Sequence, residues 1–129
     1  MNNRSIDREV AEIVGADLGG FDWMYPENHH GNIEDNKLIN WETAQFFWVP
    51  RYSTDWNAMR LLVEWLQSKS FMIITNQYPN DYGYTFCYIQ KWNDDHGWET
   101  LAIKKEDTAP LALCHAVLSL PIEVLKSDV

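Results

Sequence analysis

Tyr84, Phe86 and Tyr88 alternate with Thr85, Cys87 and Ile89, the turn sequence Asn93-Asp94-Asp95-His96-Gly97 follows, and Trp98 to Lys104 alternates again. A period of two is that of a strand, and a short Asn/Asp/Gly turn joins strands that are antiparallel neighbours. No other feature constrains the chain as much. A lone hairpin is marginal in water and needs further strands and a covering layer. Phe71 to Thr75 is too short and too apolar for a helix and supplies one strand. Phe46-Phe47-Trp48-Val49, ended by Pro50, supplies another. The cover is expected from two helices. In the first, Ser53 or Thr54 is the expected cap, and Asp55 sits at the positive end of the dipole. Trp56, Met59, Val63 and Leu66 form its apolar stripe, Leu62 widens it, and the helix ends near Lys69. The second opens at Asp107 or Thr108, tolerates Pro110 in its first turn, presents Ala109, Leu113, Ala116, Val117 and Leu120, and closes at Pro121.

Upstream, Ser5 is the expected cap of a helix carrying Ile6, Val10, Ile13 and Val14 on one face, stopped by Gly15. Gly19 to Asn32 reads as a short strand and a polar loop, and Ile33 to Gln45 as an irregular connection. A second loop is expected over Asn76 to Gly83. The order of elements gives an α+β domain over residues 1–129, with one mostly antiparallel sheet under the two long helices and the first helix either beside them or on the opposite face, the latter making a three-layer α/β/α sandwich. The apolar look of Phe46 to Val49 and Phe71 to Ile74 favours cover on both sheet faces.

At 129 residues the chain can bury a core without staples, and Cys87 and Cys114, in apolar contexts, read as free and buried. The formal net charge of −9 argues against a duplex nucleic-acid binder, which needs clustered cations. No apolar run is long enough for a bilayer and the N-terminus lacks a signal-peptide pattern, so a soluble, cytoplasmic protein is expected.

The segments Val49-Pro50-Arg51-Tyr52-Ser53-Thr54-Asp55-Trp56-Asn57-Ala58 and Thr108-Ala109-Pro110-Leu111-Ala112-Leu113-Cys114-His115-Ala116-Val117-Leu118 resemble the phage ABA sandwich domain of small bacteriophage and prophage proteins. The intervening helix and aromatic strand pair are also similar, and the resemblance spans roughly residues 6–120. It implies a helix, sheet and helix layering and brings no catalytic residues. The aromatic-rich segment over residues 23–45 departs most from it.

Chemistry-bearing patterns are few. There is no Gly-rich phosphate loop, paired-carboxylate motif, Ser-His-Asp pattern or metal spacing, so neither catalysis, nor a cofactor, nor a metal is expected. His29 and His30, near Glu27, Glu34 and Asp35, read as a solvated loop rather than ligands. Cys114 and His115, adjacent on a helix, cannot converge as a catalytic pair. Arg51, Tyr52, Ser53 and Thr54 join a strand to a helix start and either receive an anion or only cap the helix. The 14% aromatic content exceeds what a core of this size needs. Trp23, Tyr25, Trp41, Tyr52, Tyr78, Tyr82, Trp92 and Trp98 fall in or beside loops, where rings either seal the fold or stack on a ligand.

A non-catalytic phage accessory protein that acts by binding is the leading expectation. In its sharpest form it sequesters a nucleotide-type immune signal of the host, an anti-defence sponge. The ligand would be held by Arg51, Tyr52, Ser53, Thr54, Trp23, Tyr25 and Trp92, with Arg51, Lys91 or Lys104 on its phosphates. The alternative is a protein-interaction module that binds a host or phage protein through an acidic, Trp-rich surface. A homo-oligomer is expected from the exposed rings and the need to cover sheet edges.

Overall fold

The computed structural model describes residues 2–17, 23–27, 29–31, 37–40, 44–77 and 85–126. Its elements are, in order, α1 (Asn3–Asp17), β1 (Trp23–Met24), β2 (Lys37–Asn40), β3 (Gln45–Trp48), α2 (Trp56–Ser68), β4 (Phe71–Gln77), β5 (Thr85–Asn93), β6 (Gly97–Glu106), α3 (Ala109–Ser119) and α4 (Ile122–Lys126). They are helices and antiparallel sheets, an α+β architecture. The strands make two three-stranded sheets, ordered β1-β2-β3 and β4-β5-β6, in place of the single sheet expected. The chain divides into two compact units, residues 1–51 and 52–129, with one sheet in each.

In the first unit, α1 starts earlier than Ser5. The Asn2 side chain accepts from the Ser5 amide at 2.8 Å and so takes the capping role. The helix also runs through Gly15 to Asp17, because a glycine inside a helix costs only about 1 kcal/mol and tertiary burial outweighs that. Ile6, Val10, Ala11 and Val14 are buried, and so is Asp7, which Arg4 meets at 3.0 Å. Strand β2 lies where an irregular connection was expected. Its four residues carry too short a pattern to read alone, yet they pair with β3 from Lys37↔Trp48 to Asn40↔Gln45 and bury Leu38 completely. Tertiary pairing overrides the weak local signal.

In the second unit, α2 is capped by Asp55, whose side chain accepts from the Asn57 amide at 2.9 Å, rather than by Ser53 or Thr54. Ala58, Met59, Leu62 and Leu66 face the core. Trp56 does not join that stripe and stands 55% exposed. The helix ends at Lys69, and Ser70 then takes the left-handed conformation (φ 69°) with its amide on the Gln67 carbonyl at 3.0 Å.

Strands β4, β5 and β6 pair antiparallel, and the register slips once, so that Ile89 faces Ala102, Gln90 faces Thr100 and Leu101 is bulged out. One face of this sheet, with Phe71, Cys87, Ile89 and Ala102, is buried. Helix α3 packs against β5 and β6, and α2 against β4 and α3. Thr108 caps α3 and Pro110 occupies its first turn, as the sequence indicates, and Ala109, Leu113, Ala116, Val117 and Leu120 are all buried. Pro121 ends α3, but it also opens the short helix α4, which the sequence reading did not anticipate.

The opposite face of this sheet is half-buried at Ile74 and Tyr88 and exposed toward β6 and the hairpin. Alternation along β5 and the pairings Tyr88↔Ile103, Tyr88↔Ile74 and Trp92↔Trp98 put Ile74, Tyr88, Trp92, Trp98 and Ile103 on that face. Trp92, Trp98 and Ile103 are 55%, 47% and 51% exposed. In the first unit Phe46 and Trp48 are likewise exposed. The expected loop over Asn76 to Gly83 starts later, since Asn76 and Gln77 belong to β4; Tyr78 to Gly83 lie outside the described residues.

Candidate functional site

The tip of the β5–β6 hairpin is built by local chemistry. The Asn93 side chain accepts from the Asp95 amide at 2.8 Å, and the Asn93 carbonyl accepts from the His96 amide at 3.2 Å. Gly97 then takes φ 78°, a left-handed conformation that a β-carbon would strain, and starts β6. The turn fixes the register, and the register sets Trp92 opposite Trp98. Their rings meet edge to face, 5.5 Å between centroids at 76°. This arrangement suits the ring quadrupoles and is worth about 0.5–1.5 kcal/mol beyond burial. Trp92 Nε1 donates to Asp94 Oδ1 at 2.9 Å, which holds a carboxylate beside the indole, and Asp95 is exposed in the same turn.

Two clefts flank this tip and share Lys91 and Trp92 as a wall. The first, about 430 Å³, also has Asn93, Glu99 and Leu101 on the hairpin and Glu123 and Val124 on α4. The second, about 420 Å³, adds Ser70 and Asp94. Lys91 pairs across the strands with Glu99, and its ammonium lies 4.8 Å from the Phe71 ring centroid.

The sequence-derived ligand residues are placed as follows. Trp23, Tyr25 and Arg51 belong to the first unit; Tyr52, Ser53, Thr54 and Trp92 belong to the second. Trp23 stands in β1. Tyr25 donates its hydroxyl to the Arg8 carbonyl at 2.7 Å, with the Arg8 guanidinium 5.6 Å from its ring, so it ties its loop to α1. Arg51 and Thr54 are exposed, whereas Tyr52 and Ser53 are buried, and Asp55 holds the start of α2. Neither cleft beside Trp92 is lined by residues 52–54. Trp41, Tyr78 and Tyr82 lie outside the described residues.

The weaker candidates are also accounted for. His29 and His30 are exposed, with rings 3.9 Å apart; Glu34 and Asp35 lie outside the described residues. Among the described residues no group of three or more His, Cys, Asp or Glu side chains is arranged to hold a metal ion. Cys114 is fully buried, while His115 Nδ1 meets Glu106 Oε1 at 2.5 Å, tying α3 to the end of β6. No described helix is long and apolar enough to cross a membrane.

Sequence reasoning missed Ile103, Leu101 and Glu123 as site residues. The bulge that turns Leu101 out leaves no local mark. Glu123 follows a proline read as the end of structure. Trp98 was legible as a loop-side ring, and only the register shows that it partners Trp92. No protein-family model, curated protein or solved structure matches the chain.

Proposed function

We propose that this protein acts by binding, and that it docks a protein partner on the open face of its second sheet around Trp92, Trp98 and Ile103. The observation that carries this reading is the exposed, preorganised indole pair. One sheet face carries two half-exposed rings with a carboxylate at their rim and, across the hydrogen-bonded Gln90–Thr100 pair, an exposed Ile beside Ile74 and Tyr88, a mix of apolar anchors and polar groups such as an interface centre has. Large aromatic anchors of this kind contribute roughly 2–4 kcal/mol each when a partner excludes water from them.

One observation supports the nucleotide reading as a second proposal: Lys91 and Trp92 line the same cleft, a cation beside a stacking ring. Glu99 and Glu123 in that cleft, and Asp55 at the start of α2, weigh toward a protein partner. The phage context, the ABA sandwich layering, a host-cytoplasmic location and self-association belong to the same proposal. Helices α2 and α3 packed on the antiparallel sheet of the second unit support the helix-on-sheet part of that layering alone.

Native mass spectrometry of the protein purified from infected and uninfected cells tests both readings. A protein adduct lost in the Trp92→Ala/Trp98→Ala variant is the expected result, and copies of this chain register in the same spectrum. An added mass of a few hundred daltons retained in that variant would instead favour a small ligand held elsewhere. A bare chain in every sample would overturn the docking reading.

A further inference from the structure

We infer that the Trp92–Trp98 pair seats an arginine side chain from an exposed basic segment of the protein partner; this rests on the docking reading of the open sheet face. An indole face carries negative quadrupole density and attracts a guanidinium that comes within about 6 Å of its centroid. Here two indoles stand at 76° to one another, each about half exposed, so an entering planar group meets one ring face and the edge of the other. Asp94 supplies a carboxylate already oriented by Trp92 Nε1, and Asp95 adds a second, exposed in the same turn. No Lys or Arg occurs anywhere between Trp92 and Ile103 in the sequence. Lys91 lies on the other face of the strand, over Phe71 and opposite Glu99.

Arginine fits this seat better than lysine. Its flat guanidinium stacks on an indole while its N–H fork reaches a carboxylate at the rim, and it is more weakly hydrated than an ammonium. A phosphate-bearing group would be set against the Asp94 and Asp95 carboxylates, which disfavours it on charge. The chain's net charge of −9 adds a long-range attraction for a basic segment.

The test is a titration of the full, nitrogen-15-labelled chain with a capped peptide alternating arginine and alanine, following the indole N–H signals of Trp92 and Trp98. Matched peptides carry lysine or glutamate in place of arginine. The expected result is that the arginine peptide shifts both signals, the lysine peptide binds more weakly, and the glutamate peptide shifts neither. The Asp94→Asn/Asp95→Asn variant, which keeps both rings, should bind the arginine peptide about tenfold more weakly. So should Trp98→Leu, which keeps apolar area and removes the ring face. Equal shifts with the glutamate peptide, or affinity unchanged in both variants, would overturn the inference.

Photo-crosslinking from position 103 separates this from failure of the docking reading. A protein partner cross-linked there through a segment without arginine overturns the arginine seat and leaves the docking face intact. The absence of any protein adduct overturns the docking face itself.

Discussion

Cys87 sits fully buried on the helix-covered face of the second sheet, and desolvation pushes its thiol up to about 12 from an ordinary value near 9. The sign follows from which state holds the proton. Below pH 9 both folded and unfolded chains keep it, and the group has no effect on stability. Above pH 9 the unfolded chain releases a proton that the folded chain retains, so stability falls until the folded thiol also ionises near pH 12. Other groups titrate in this range, and a difference measurement isolates this one. Denaturant melts of Cys87→Ala and the parent chain, taken from pH 8 to 11, should diverge above pH 9 in favour of the variant by up to about 1.4 kcal/mol per pH unit. A constant difference across that range would contradict the burial of the thiol. A second single-residue test concerns Asp55. Replacing it by Ala removes the acceptor for the Asn57 amide and should lower stability by about 1 kcal/mol in a chemical melt. If Ser53 or Thr54 were the operative cap, Asp55→Ala would be silent.

The turn between α2 and β4 shows how an element is ended by a residue that does not favour the job. Helices commonly stop on a glycine in the left-handed conformation, and here Ser70 adopts it at φ 69°. An L-residue there costs roughly 1 kcal/mol, so Ser70→Gly should raise the thermal midpoint, and Ser70→Val, β-branched, should lower it. A Ser70→Gly variant no more stable than the parent would show that Ser70 is compensated by a contact of its own. Sequence legibility at this scale follows a physical divide. Helices α2 and α3 and the β5–β6 hairpin were readable because their signals are local: an apolar stripe, a Thr108 cap, an Asn/Gly turn. Strand β2 was not readable, because four residues become a strand only through pairing with β3. Trp56 was misplaced on the α2 stripe because, at about 100° per residue, the first residue of the helix lies to the side of the face that Ala58, Met59, Leu62 and Leu66 bury. The bulge at Leu101 was invisible, since only the shift between Ile89 and Gln90 creates it. For the candidate site the residue types were legible and their grouping was not. Trp92 and Trp98 are six positions apart in sequence and meet only because of the turn.

Across the whole molecule, the division at residues 51 and 52 makes a testable statement about where the stability of the docking face resides. The second unit has its own sheet, two helices packed against that sheet, and a buried set that includes Leu62, Leu66, Phe71, Ile89, Leu113 and Val117. Each fully buried side chain of this size contributes roughly 1.5–3 kcal/mol against its exposed state. Domains of such a length fold alone when their apolar faces are covered from within. A fragment spanning residues 52–129 should therefore unfold cooperatively in denaturant and keep dispersed amide signals. The Trp92–Trp98 pair is made wholly by that unit, so the folded fragment should bind the arginine peptide with the affinity of the full chain. A fragment with no cooperative transition would mean that residues 1–51 are required for the second core to form. One that folds but loses peptide affinity would mean that the seat depends on groups beyond the hairpin and its flanking clefts.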